Sequence, residues 1–185
     1  SANQENPPTT STATGRGAVV VNPTTLEITG GMTFTGVTPT TGGHHIHQAP
    51  SGQPTQNGGV IIALTLAPGG GVATVPAGTV LSAAQYAAFL AGELYFNIHS
   101  ATNPGGDIRG QINAATGVNA GIATLNGTQE NATNISTATG RGTIVFDSTT
   151  REVLIGYVTH NVSAATVAHI HTGAVGVPGP ANVVT

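Results

Sequence analysis

The chain is predicted to be all-β, built of immunoglobulin-like or Greek-key β-sandwich repeats with one short helix. Three observations carry this: short apolar runs with period-two alternation, Gly/Pro/Asn-rich turns between them, and a sequence that occurs twice. Gln4-Glu5-Asn6 recurs as Gln129-Glu130-Asn131, 125 residues on, and Ser11-Thr12-Ala13-Thr14-Gly15-Arg16-Gly17 recurs as Ser136-Thr137-Ala138-Thr139-Gly140-Arg141-Gly142. After one deletion His45-Ile46-His47 falls on His169-Ile170-His171, and after another Val60-Ile61 falls on Val183-Val184. A period of this length means tandem domains, not a solenoid of short units. The expected division is a first domain over 1–115, lacking its first strand, and the first half of a second over 116–185, without a counterpart of residues 63–112.

Taken in order, residues 1–14 are polar and proline-containing and read as an irregular lead-in. Strands are expected over 18–21 and, after the Asn22-Pro23 turn, over 26–35, where Leu26, Ile28, Met32 and Phe34 alternate with Glu27, Thr29, Thr33 and Thr35. A short extended segment surrounds Ile46, a Pro/Gly/Gln/Asn loop covers 48–59, and a strand follows over 60–66. The one helix is expected over 82–91, with Ser82 as N-cap and Gly92 as terminator. Strands return at 94–99 and, after Asn103-Pro104-Gly105-Gly106, at 108–112, and the second copy opens with a strand over 118–125. That last strand has no partner sequence in the first copy, so strand edges are expected to stand open, each a template for another chain.

Charge narrows the function. Only 6% of residues are charged, there is no lysine, and the only arginines are Arg16, Arg109, Arg141 and Arg151. A basic footprint for nucleic acid, a polybasic membrane anchor and Schiff-base chemistry are thereby excluded. The near-neutral surface offers little charge repulsion against self-association. No cysteine is present, so disulfides and thiolate metal sites are excluded, and no apolar run is long enough to insert in a bilayer. Asn126, Asn131, Asn134 and Asn161 each head an Asn-x-Ser/Thr sequon, compatible with a secreted surface.

The histidines carry the chemistry. Residues two apart in a strand project to one face, so His45 and His47 point together while Ile46 points to the core. The same rule, with Leu94, Phe96 and Ile98 inward, turns His99 outward. Three imidazoles then converge on neighbouring strands, a set that suits copper, with zinc as the alternative. His169 and His171 repeat the pair in the second copy and are candidate metal ligands there. His44 shares the side of Ile46 and has Ala168 as its counterpart, and His160, aligned with Thr35, reads as a surface residue. Asp107 and Arg109 are expected to pair with each other or tie down their loop, with Asp107 also placed to hold a histidine N–H. No acid/base pair, nucleophile motif or phosphate-binding glycine loop is recognisable.

His45-Ile46-His47, the loop to Gly58-Gly59-Val60, Leu81-Ser82-Ala83-Ala84-Gln85 to Leu90-Ala91-Gly92, Tyr95-Phe96-Asn97-Ile98-His99-Ser100 and Asn103-Pro104-Gly105-Gly106-Asp107-Ile108-Arg109-Gly110-Gln111 together resemble the CHRD domain, first described in chordin and common in secreted bacterial proteins. Asp107 stands where that family more often has glutamate. The resemblance implies an extracellular or cell-surface β module. The expected function is a secreted structural or assembly protein that polymerises with itself, as a homo-oligomer or filament, through strand complementation and binds copper at His45, His47 and His99. A copper-dependent redox enzyme, similar at His-x-His to copper/zinc superoxide dismutase, is the second reading, and a metal-free protein-binding module the third.

Overall fold

The computed structural model describes residues 1–130, 135–174, 177 and 179–182. The sequons at Asn131 and Asn134, and Val183-Val184, lie outside the described residues.

The first copy is a sandwich of two four-stranded antiparallel sheets. One sheet holds β1 (Thr14–Val21), β2 (Ile28–Thr35), β5 (Thr65–Leu66) and β6 (Val72–Thr74) in the order β1-β2-β6-β5. The other holds β3 (Pro39–Gln48), β4 (Gly59–Ala63), β7 (Leu94–Ser100) and β8 (Ile108–Gln111) in the order β4-β3-β7-β8. Ile28, Met32 and Phe34 from one layer meet Ile46, Leu94, Phe96 and Ile98 from the other to form the core. The layers approach closely at Gly17, where an added Cβ would lie 2.5 Å from the Phe96 ring.

Helix α1 (Ala83–Leu90) crosses from β6 to β7. Its start is a capping box: Ser82 Oγ accepts from Gln85 N at 3.2 Å, and Gln85 Oε1 accepts from Ser82 N at 2.8 Å. Its end is set by Gly92 at φ +69°, a left-handed conformation that glycine adopts without strain. Ala88 is buried, and Tyr86 and Phe89 pack against the core. No helix among the described residues is long and apolar enough to cross a membrane.

The second copy forms a three-stranded sheet of β9 (Val118–Asn126), β10 (Thr139–Asp147) and β11 (Val153–His160), in the order β11-β10-β9, and a small hairpin of β12 (Ile170–His171) and β13 (Ala181–Asn182). The repeat is visible in fine detail. Asn22 Oδ1 accepts from Thr24 N and Thr25 N at 2.8 and 3.1 Å, and Asp147 Oδ1 accepts from Thr149 N and Thr150 N at 2.8 and 2.6 Å. Both turns then place a non-glycine residue at positive φ, Leu26 at +58° and Arg151 at +64°.

Residues 1–14 are irregular as expected, apart from a 3-10 turn over Ala2–Gln4 and the start of β1 at Thr14, but they are held down: Ala2, Glu5 and Ala13 are buried, and Ser1 pairs with Arg109 through 2.6 and 3.2 Å main-chain bonds. Three expectations need correction. The strand expected over 60–66 is interrupted at Leu64, giving β4 and β5 in different sheets. The strand expected from Leu26 begins at Ile28, because Leu26 belongs to the turn. Thr29, expected to face solvent, is buried beside Thr143 and Tyr157 of the second copy, which packs over β2.

Candidate metal centre

Ile46 is fully buried in the core, and its neighbours His45 and His47 stand on the opposite face of β3. There they meet the outward residues of β7, with Tyr95 opposite His47 and Asn97 opposite His45, and His99 two residues further on. The β3–β4 register slips between Ile46 and His47, leaving Ile61 as an extra residue in β4, a bulge beside the histidines.

The three rings form a nearly equilateral triangle. Centroid separations are 5.3 Å for His45–His47, 5.2 Å for His45–His99 and 5.4 Å for His47–His99. One nitrogen from each ring lies within 4.8 Å of the others, close enough to hold a metal ion. His47 Nδ1 lies 2.9 Å from Gly58 O, and His99 Nδ1 3.0 Å from Pro104 O. A carbonyl only accepts, so each Nδ1 carries a proton, and in the neutral ring each Nε2 keeps its lone pair. Those two Nε2 atoms face each other at 3.3 Å. Two lone pairs at that distance repel unless a cation or a proton sits between them, and the carbonyl-to-imidazole arrangement is the outer support typical of metal-binding histidines.

The electrostatics favour the ligand form. Burial, followed by the neighbouring imidazoles of His47, His99 and His44, pushes His45 down to about 4. Burial also lowers His47 and His44. Neutral imidazole is the form that coordinates.

The site has supports that sequence reasoning missed. Tyr95, almost wholly buried, stacks on His47 at 5.1 Å and 15°, and the Arg109 guanidinium sits 3.4 Å over the other partner of that stack, the Tyr95 ring. Arg109 donates to Pro54 O at 2.6 Å, Gln56 O at 3.2 Å and Asn57 Oδ1 at 3.3 Å, while Gly58 N donates to the Tyr95 hydroxyl at 2.9 Å. One cation therefore clamps the loop whose Gly58 carbonyl orients His47. Period-two alternation already puts Tyr95 on the face of His99, and that was the available signal. Nothing in a Pro/Gly loop marks Gly58.

Asp107 and Arg109 do not pair with each other. Asp107 accepts from Ser100 Oγ at 2.5 Å and Asn103 Nδ2 at 3.0 Å, tying the turn that carries Pro104. Burial pushes the Asp107 carboxyl up, but these hydrogen bonds outweigh it and hold it below its ordinary value. Asp107 thus acts on His99 through that turn, and the acceptor for the histidine N–H is the Pro104 carbonyl. His44 is buried and stands outside the triangle, its ring stacked 6.5 Å from that of His45, and His160 is exposed as expected.

In the second copy His169 and His171 are exposed, with ring centroids 5.8 Å apart at 76°, the interplanar angle of His45 and His47. His171 Nδ1 lies 2.8 Å from Gly179 O, repeating the Gly58 contact. The hairpin pairs His171 with Ala181, so it closes two residues earlier than the sequence alignment of Val60 with Val183 implies. No third imidazole joins this pair among the described residues.

The family model for the CHRD domain matches residues 1–112 and again 122–184. No curated protein and no solved structure matches the chain. With both matches covering nearly the whole sequence, and the same turn and the same His-x-His latch built twice, the chain belongs to the CHRD domain family as two tandem copies.

Proposed function

We propose that the first CHRD copy is a metal-binding module, with His45, His47 and His99 as ligands and copper as the metal. The observation that carries this reading is the 3.3 Å approach of two Nε2 atoms whose rings are held at Nδ1 by carbonyls. An all-imidazole donor set binds copper(II) ahead of zinc by the general order of divalent affinities. Metal analysis of natively isolated protein, with copper and zinc in competition, tests the assignment. His47→Ala is expected to abolish stoichiometric binding while far-UV circular dichroism keeps its β signature; tight one-to-one binding by that variant would overturn the reading. His169 and His171 form a two-imidazole half-site that binds more weakly. The family and the sequons support an extracellular or cell-surface setting.

A second reading, self-association into a filament, has its own observation. β9 runs along the whole of β10, from Thr139↔Asn126 to Asp147↔Val118, whereas the same edge of β1, the counterpart of β10, carries no strand among the described residues. Beside that edge lies a groove lined by Gly15, Gly17, Phe34, Phe96 and Ile108. In the second copy the space over Gly142 is taken by Ala123 and Leu125. A strand of that apolar pattern from another copy of the chain fits the vacant edge. Light scattering that stays monomeric at micromolar concentration counts against this.

A further inference from the structure

The three imidazoles stand over a fourth polar side chain. Asn97 lies between Tyr95 and His99 on the outer face of β7, opposite His45 on one side and Arg109 on the other. His47 and His99 flank the His45–Asn97 pair along the strands, and their Nε2 atoms meet at 3.3 Å. Asn97 is 2% exposed, and its Oδ1 is buried without a hydrogen-bond partner. A buried carbonyl oxygen left unpaired is costly and calls for a partner.

The amide has one orientation. Asn97 Nδ2 donates to Glu5 Oε2 at 3.2 Å, and a carboxylate only accepts, which settles which end is nitrogen. Glu5 arrives from the β8 side, because the segment that carries it pairs Ser1 with Arg109 and Gln4 with Gln111 N. Gly106 makes room for the contact: a Cβ there would lie 2.4 Å from Glu5 Oε2 and 3.0 Å from Asn97 Nδ2. With nitrogen engaged on the β8 side, Oδ1 is the free end of an amide whose neighbour on β3 is His45.

We propose that Asn97 Oδ1 is a fourth donor of the metal centre and that Glu5 is the positioning residue that aims it. The inference rests on the metal reading of the histidine triad. It makes the site three nitrogens and one neutral oxygen, a set that favours a divalent ion over copper(I), which prefers softer ligands.

Copper(II) titration of the full chain, followed by electron paramagnetic resonance, tests it. Asn97→Leu is expected to weaken copper(II) binding by about tenfold or more and to shift the copper hyperfine splitting. Glu5→Ala is expected to shift the same splitting, and Glu5→Gln, which keeps an acceptor for the amide, to restore the wild-type spectrum. A shifted copper spectrum at an unchanged denaturation midpoint is what a purely structural role of Glu5 would not produce. Should Asn97→Leu fail to fold, Asn97→Ser, polar but too short to reach the ion, carries the test. Copper bound by wild type and equally by the folded Asn97 variant, with one spectrum, overturns this inference alone. Failure of wild type to bind copper overturns the triad reading with it.

Discussion

His47 is held on three sides: its Nδ1 by the Gly58 carbonyl, its face by Tyr95, and its Nε2 opposite that of His99. Such a ring has little freedom to turn, and its variants report on the site rather than on the surface. His45 reports on proton linkage. In the metal-free protein it is pushed down to about 4 by burial and neighbouring imidazoles, while an unfolded chain takes up that proton near the ordinary 6.5. The folded state therefore has its full share of stability above 6.5 and loses it as the pH falls towards 4. In chelator, the urea midpoint of wild type is expected to fall between pH about 7 and about 5 more steeply than that of His45→Gln. Equal slopes would remove His45 as the source. At this scale the outward imidazoles were legible, since alternation alone orients them. Glu5 and Asn97 were not, because their contact joins residues far apart in the chain and depends on the missing side chain of Gly106.

Strands and helix were legible wherever local chemistry decides them. Ser82, Gln85 and Gly92 carry the whole signal for the ends of α1. Ser82→Ala is expected to cost about 1 kcal/mol in chemical denaturation and to leave metal affinity unchanged. Leu26 misled because an apolar residue in phase with a strand sits in a turn at positive φ, and Thr29 because its outer face is covered by a sheet from the other copy. The two copies also differ where a repeat alignment makes them equal. Gly17 lies against the Phe96 ring, whereas an added Cβ on its counterpart Gly142 meets Ala123 and Leu125 at 3.6 and 3.8 Å, ordinary contact distances. Gly17→Ala is expected to destabilise the protein by about 1–3 kcal/mol through overpacking, and Gly142→Ala to stay within about 0.5 kcal/mol of wild type. Thermal unfolding of the two variants separates these outcomes.

Across the molecule, the copies are joined among the described residues by one ion pair and a buried ring. Arg141 reaches Glu27 at 2.8 Å, with both side chains partly exposed, so its loss is expected to cost at most about 1 kcal/mol. Tyr157 lies in the cleft with Thr29, Gly30, Val75 and Ala77, its hydroxyl buried without a partner and its acidity weakened by burial. Tyr157→Phe removes an unpaired polar group while keeping the ring, so it is expected to be neutral or stabilising. A clear loss of denaturation midpoint would mean the hydroxyl has a partner. This contact could not be read from the sequence, since Tyr157 aligns with Met32, which serves a different core.

The two carbonyl latches have a calorimetric consequence. Because Gly58 and Pro104 already dictate the orientation of each ring, copper finds those two imidazoles set and need not immobilise them. The unfavourable entropy of loading should then be small.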